Sequence, residues 1–76
     1  MPRLASLDGV DIYMYFKDQA PPHLHALYGE DEALVAIRDG SVYTGSLPPN
    51  KLALVVAYVA GNTEELLARW AAYGGR

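Results

Sequence analysis

The spacing of hydrophobic and polar residues along this chain changes once, near residue 48. Before that point apolar and polar positions alternate, most clearly from Val10 to Lys17. Strict alternation places every second side chain on the same face of a strand. Aromatic and β-branched residues, which favour strands, fill the same segment. The first part of the chain is therefore predicted to be β-structure.

Turn-forming residues divide this part into short strands. Asp8-Gly9 is typical of a tight turn between paired strands, so residues 3–7 are predicted to pair back as a first strand. Pro21-Pro22 cannot donate backbone hydrogen bonds and predicts a loop. Further strands are predicted at 23–28, 32–38 and 42–44. The middle one of these would also suit a helix. The expected sheet is an antiparallel meander of four to five strands.

From Pro48 onward the spacing is helical. Apolar residues between Leu52 and Val59 recur at i, i+3, i+4 and i+7, which is one face of a helix. Gly61 is predicted to follow the end of this helix, and Asn62 to cap a second one. The apolar face of the second helix consists of Leu66, Trp70 and Tyr73. The predicted fold is α+β, with two C-terminal helices packed on the sheet.

Length and composition predict a single domain over residues 1–76, with the sheet at about 3–46 and the helical pair at about 48–74. A chain of 76 residues without cysteine has three routes to stability, namely tight packing, a metal held by histidine and carboxylate, or a partner chain. Its hydrophobic fraction of 51% exceeds what a small core needs. We therefore expect a surface for a small cognate protein or for a second copy (a homodimer), with a compact two-layer core as the alternative.

Charge and hydropathy exclude several classes of function. The formal net charge is −3 and the basic residues are scattered, which argues against direct DNA binding. No apolar stretch reaches the roughly 18 residues of a membrane span. The first residues lack the apolar core of a signal peptide. A cytoplasmic protein without a membrane segment is expected.

Both histidines lie in the segment Pro21-Pro22-His23-Leu24-His25. On a strand, His23 and His25 point to the same face, so they could supply two imidazole ligands to a divalent metal. A carboxylate could complete the site. The local candidates are Asp18, Glu30, Asp31 and Glu32. The alternatives are acid–base use of the pair, or a purely structural role in which one histidine braces the proline loop and the other faces solvent.

Three features of the chain are informative together: the Pro-Pro-His-x-His segment, the Gly29-Glu30 turn, and the later Glu64-Glu65-Leu66-Leu67 run with Trp70. In these features the chain resembles the small prokaryotic domain-of-unknown-function family numbered four-one-six-zero. The likeness spans nearly the whole chain. The resemblance implies no assigned reaction. It implies a gene next to another small protein, an arrangement similar to a toxin–antitoxin module. The suspected functional motif carried over is Pro21, Pro22, His23 and His25, with both prolines in a structural role.

Two functions follow from these observations. The first is an interaction component of a two-gene, toxin–antitoxin-like module. The second is a metal- or histidine-dependent hydrolase, an RNase-like toxin in which His23 and His25 are catalytic and RNA is the substrate. Metal-free RNA cleavage would also need a phosphate-binding cation, for which Lys17 and Arg38 are the candidates. The sequence leaves open whether the protein is an enzyme, and no cofactor beyond a possible divalent metal is indicated.

Overall fold

The computed structural model describes residues 3–75 and contains one five-stranded antiparallel sheet. The strands are β1 (Arg3–Leu7), β2 (Val10–Tyr13), β3 (His23–Tyr28), β4 (Asp31–Ala36) and β5 (Val42–Gly45). They lie side by side in chain order, so β3 is the central strand and β1 and β5 form the edges. The predicted meander and the α+β class are confirmed.

The first hairpin closes through a two-residue turn. Leu7 pairs with Val10, and the residues between them, Asp8 and Gly9, have φ angles of 49° and 89°. Two successive positive φ angles twist a turn in the sense of the paired strands, which is why Asp-Gly is favoured there. The predicted turn and first strand are confirmed.

Two helices follow the sheet, α1 (Pro49–Gly61) and α2 (Thr63–Ala72). The predicted end of the first helix is wrong by one residue, because Gly61 is its last residue rather than the one beyond it. Asn62 lies between the helices as predicted, but its side chain donates to the carbonyl of Tyr58 instead of capping α2. No helix among residues 3–75 is long and apolar enough to cross a membrane.

Strand β2 is shorter than the predicted 10–17. It ends at Tyr13, and the chain turns away at Lys17, which has a φ of 56°. Met14 stays fully buried, whereas Phe16 is 60% exposed instead of facing the core. The cause is tertiary, since the backbone N–H of Lys17 donates to the carbonyl oxygen of Tyr73 just beyond α2 rather than to a neighbouring strand.

One face of the sheet forms the core with the helices. Ile12, Ala26 and Ala33 are paired across β2, β3 and β4 and are fully buried. Other strand and strand-end members of the buried cluster are Val10, Met14, Leu24, Val35 and Ile37, and Val55, Val59, Leu66 and Trp70 join them from the helices. Removing this apolar surface from water is the main stabilising contribution.

Candidate metal centre

Both imidazole rings lie on the second face of β3, opposite Leu24 and Ala26. His23 and His25 alternate with these core residues, and their ring centroids are 5.1 Å apart. They are only 3% and 8% exposed. The structural alternative is therefore wrong in placing one histidine in solvent, whereas its other part, a histidine that contacts the proline loop, agrees with the 2.8 Å contact of His23 Nδ1 with the Pro21 carbonyl oxygen. Because β3 is paired with β4 at both histidines and with β2 at His25, the two rings project from a rigid base.

The loop over residues 14–22 covers the rings and brings a carboxylate to them. Asp18 Oδ2 lies 3.0 Å from His23 Nε2 and 3.1 Å from His25 Nε2. The backbone N–H of Gln19 donates to the other oxygen, Oδ1, at 2.9 Å. One donor atom from each of the three side chains thus lies within 4.8 Å of the other two. Of the four carboxylates considered from sequence, Asp18 is the one that the structure brings to both Nε2 atoms.

The second nitrogen of each ring is held by an acceptor. His23 Nδ1 lies 2.8 Å from the carbonyl oxygen of Pro21, and His25 Nδ1 lies 3.1 Å from Glu32 Oε2. A carbonyl or an ionised carboxylate can only accept, so each Nδ1 carries the hydrogen that is donated. In a neutral ring this leaves a lone pair on Nε2. The proline loop therefore fixes the tautomer of His23 through its own backbone.

This arrangement sets two nitrogen lone pairs against one carboxylate oxygen. Acceptors placed 3.0–3.1 Å apart repel each other unless a positive species lies between them. A single proton on Asp18 could serve only one of the two contacts. Protons on both rings would place two like charges side by side, with ring centroids 5.1 Å apart, and these repel each other. One divalent cation satisfies all three atoms at once.

The spacing also suits a metal ion. Bonds of about 2.0–2.2 Å to nitrogen and oxygen leave neighbouring ligand atoms roughly 2.9–3.5 Å apart, depending on the coordination geometry. The two nitrogen-to-oxygen separations of 3.0 Å and 3.1 Å fall in that range, and all three donor atoms lie within 4.8 Å of one another. Hydrogen bonds from the far nitrogen to a carbonyl or carboxylate are typical of metal-binding histidines. The residues present therefore match the requirements of a two-histidine, one-carboxylate site.

The charged form of Asp18 is favoured at this position. Burial by itself raises the pKa of this carboxyl, but its polar contacts with His25 and with the backbone N–H of Gln19 outweigh it and leave the pKa below its ordinary value. An ionised carboxylate is the form that a metal ligand needs.

Aromatic rings enclose the centre. Tyr15 lies against His25 with ring centroids 4.1 Å apart, while Tyr43 and Trp70 lie 5.5 Å and 5.2 Å from the His23 ring. Burial, followed by the negative charge of Glu32, raises the pKa of Tyr15. Sequence patterns indicated a core position for Trp70 but not its contact with His23. The alternating pattern of the strand could have indicated Tyr15, because it places Tyr15 on the same face as Tyr13.

The two cations considered for phosphate binding form no hydrogen bond or ion pair with the imidazoles or with Asp18 among residues 3–75. The side chain of Lys17 lies beside Gly74 after α2. Arg38 lines a cavity of about 280 Å³ next to α1, together with Val56 and Val59. The carboxylates of Asp18 and Glu32 are the charged groups that contact the imidazoles in the described part of the chain.

Comparison with known protein families places this chain in a defined family. The chain matches the domain of unknown function DUF4160 over residues 9–71, which includes the proline–histidine segment, Asp18 and Glu32. No match was found among curated proteins or among solved structures. The matched region covers most of the 76 residues, and the resemblance inferred from sequence is confirmed. The chain belongs to the DUF4160 family, whose function is unknown.

Proposed function

We propose that this protein binds one divalent transition-metal ion through His23, His25 and Asp18. The observation that supports the proposal is the direction of the rings, since both Nε2 atoms meet the same carboxylate oxygen while both Nδ1 atoms are engaged by acceptors. Imidazole with carboxylate is a ligand set suited to zinc and to neighbouring first-row metals.

A three-ligand centre is also a candidate for hydrolysis. Three protein ligands leave at least one coordination position for water, and a bound divalent metal lowers the pKa of that water. His23 and His25 would then act as ligands rather than as the acid and base of a metal-free RNase. Neither Lys17 nor Arg38 contacts the imidazoles among the described residues, which supports this form of the hydrolase hypothesis over the metal-free one.

The test is direct metal binding to the purified chain. Isothermal titration with Zn²⁺ measures affinity and stoichiometry, and quenching of Trp70 fluorescence by Co²⁺ reports location, because this single tryptophan lies 5.2 Å from the His23 ring. We expect one ion per chain. Asp18→Ala removes a ligand, so it should weaken binding by more than the roughly 10–100-fold that is typical of removing a group hydrogen-bonded to a ligand.

Asp31→Ala is the matched control for this experiment. It removes the same type of side chain at an exposed position at the start of β4. We expect it to leave the Zn²⁺ affinity unchanged. A wild-type chain that shows no saturable Zn²⁺ binding would contradict the proposed function.

A second candidate is an interaction component of a cytoplasmic two-gene, toxin–antitoxin-like module. The surface of α1 supports it, because the chain carries no charged residue from Leu52 to Thr63, and Leu54 and Val56, on different sides of the helix, are 36% and 37% exposed. Uncharged, exposed apolar surface is a feature of protein-binding sites. The occupant proposed is the small protein encoded next to this one.

Co-expression with the product of the neighbouring gene tests this candidate. We expect a stable complex on size-exclusion chromatography with light scattering, which Leu54→Lys disrupts and Asp31→Ala leaves intact. A chain that forms a homodimer through α1, or that elutes alone as a monomer, would refute the proposed partner.

A further inference from the structure

We propose that Glu32 is a positioning residue of the metal centre, which orients His25 and neutralises the charge of the bound ion without touching it. This inference rests on the proposed metal-binding function and adds a fourth side chain to it. The hydrogen bond from His25 Nδ1 to Glu32 Oε2 carries the argument, together with the backbone contacts that hold Glu32 in place.

The first step is the orientation of the ring. The Nε2 lone pair of His25 points at Asp18 only while its Nδ1–H is engaged on the opposite side. Glu32 supplies that acceptor at 3.1 Å, and the two side chains belong to adjacent paired strands. For His23 the corresponding acceptor is the main-chain carbonyl of Pro21. Glu32 is therefore the orienting group at this centre that a side-chain substitution can remove.

The second step is charge. A divalent ion bound by two neutral imidazoles and the Asp18 carboxylate leaves one positive charge beside a side chain that is only 10% exposed, that of His25. The Glu32 carboxylate, on the far side of the ring, brings the sum to zero. The Glu32 side chain is 47% exposed, so water screens part of this charge effect, but its hydrogen bond to the buried ring should still stabilise the ion-bound form.

The third step is the support of Glu32 itself. Its carbonyl oxygen accepts a hydrogen bond from the backbone N–H of Ser46 at 3.0 Å, just beyond β5. Gly45 has a φ of 81°, and a Cβ at that position would overlap the Glu32 carbonyl oxygen. The close approach of these two backbones therefore requires glycine at position 45. The main chain from which the Glu32 side chain extends is held on both sides.

The experiment compares Zn²⁺ affinity and the Co²⁺ absorption spectrum of the wild-type chain with those of Glu32→Gln and Glu32→Ala. Glutamine keeps the shape and an acceptor oxygen but removes the charge. We expect both variants to bind one ion per chain with affinity lowered by about 10–100-fold, the alanine variant more than the glutamine variant. The Co²⁺ bands should shift in both, which an effect on folding alone would not produce.

Glu30→Gln is the matched control, since it makes the same change of charge at an exposed position two residues earlier. We expect its affinity and its Co²⁺ spectrum to equal those of the wild type. Gly45→Ala tests the role of Glu32 in a second way, because the added Cβ displaces the backbone next to the Glu32 carbonyl oxygen. It should weaken Zn²⁺ binding in the wild-type background and have a smaller effect when Glu32 is already alanine, because coupled residues give non-additive losses.

The outcomes separate the two proposals. If the wild-type chain binds Zn²⁺ and Glu32→Gln and Glu32→Ala bind it equally well, the role of Glu32 is refuted while the metal centre stands. If Glu30→Gln weakens binding as much as Glu32→Gln does, general electrostatics explains the loss and the positioning role is again refuted. If the wild-type chain does not bind metal, both proposals fail.

Discussion

The backbone N–H of Lys17 donates to the carbonyl oxygen of Tyr73 at 2.8 Å, which ties the loop carrying Asp18 to the end of α2. The rings of Phe16 and Tyr73 reinforce the contact, with centroids 4.8 Å apart. Asp18 therefore reaches the two histidines from a segment anchored by a helix more than fifty residues later in the chain. The candidate site depends on the helical pair as well as on the sheet.

Metal binding should stabilise this closed arrangement. At a free Zn²⁺ concentration about 100 times Kd, an ion that binds only the folded chain adds about 2.7 kcal/mol to the free energy of unfolding. We expect thermal unfolding followed by circular dichroism to move to higher temperature with Zn²⁺ and to return when a chelator is added. The backbone amides of residues 14–22 should exchange hydrogen more slowly in the metal-bound state. Equal stabilisation of Asp18→Ala would show that the ion binds elsewhere.

The core face of β3 should be sensitive to truncation. Leu24 is fully buried on the central strand, so Leu24→Ala leaves a cavity as well as removing apolar contact. We expect the free energy of unfolding to fall by about 2–5 kcal/mol, measured by urea denaturation. Leu54→Ala, at an exposed position on α1, is the control and should change stability by less than about 1 kcal/mol. A loss at Leu24 no larger than at Leu54 would be inconsistent with the described core.

The last residue of α1 offers a stabilising substitution. Gly61 has helical geometry, and a Cβ at this position would meet no atom within 4 Å. Alanine restricts the unfolded chain more than glycine does and costs nothing in the helix. We expect Gly61→Ala to raise the free energy of unfolding by about 0.4–1 kcal/mol. A lower stability in urea would mean that the junction between the helices needs the freedom of glycine.

The turn between β4 and β5 predicts a pH effect. Hydrogen bonds from the backbone and the hydroxyl of Ser41 hold the pKa of Asp39 below its ordinary value of 3.8. A lowered pKa in the folded state means that the ionised carboxylate stabilises the fold at any pH above the ordinary value. This contribution is lost as the pH falls through the lower, folded-state value.

Comparison of the wild-type chain with Asp39→Ala measures this effect. At neutral pH we expect the wild type to be the more stable in urea, and the difference should shrink below about pH 4. Asp39→Asn is the control, because it keeps an acceptor for Ser41 but has no titrating proton. If the difference in stability between the wild type and Asp39→Ala stays constant down to pH 2, the lowered pKa of Asp39 is not its cause.

Much of the fold follows from local sequence patterns. Asp8-Gly9 alone predicts the first hairpin, because few residue pairs accept two positive φ angles. The change from a period of two to a helical period predicts the order of sheet and helices. The shared face of His23 and His25 follows from strand geometry. These features depend on each residue and its near neighbours, so they can be derived without knowledge of what lies across the fold.

The candidate site depends on tertiary contacts that the spacing of hydrophobic residues along the chain does not predict. The pattern placed His23 and His25 on one face but could not show that a loop and Trp70 would cover them. Four carboxylates were available from sequence, and the path of the loop decided that Asp18 meets both Nε2 atoms while Glu32 holds the opposite nitrogen of His25. Periodicity assigns a side chain to a face, whereas the segments that pack over that face decide its burial, its charge and its partners.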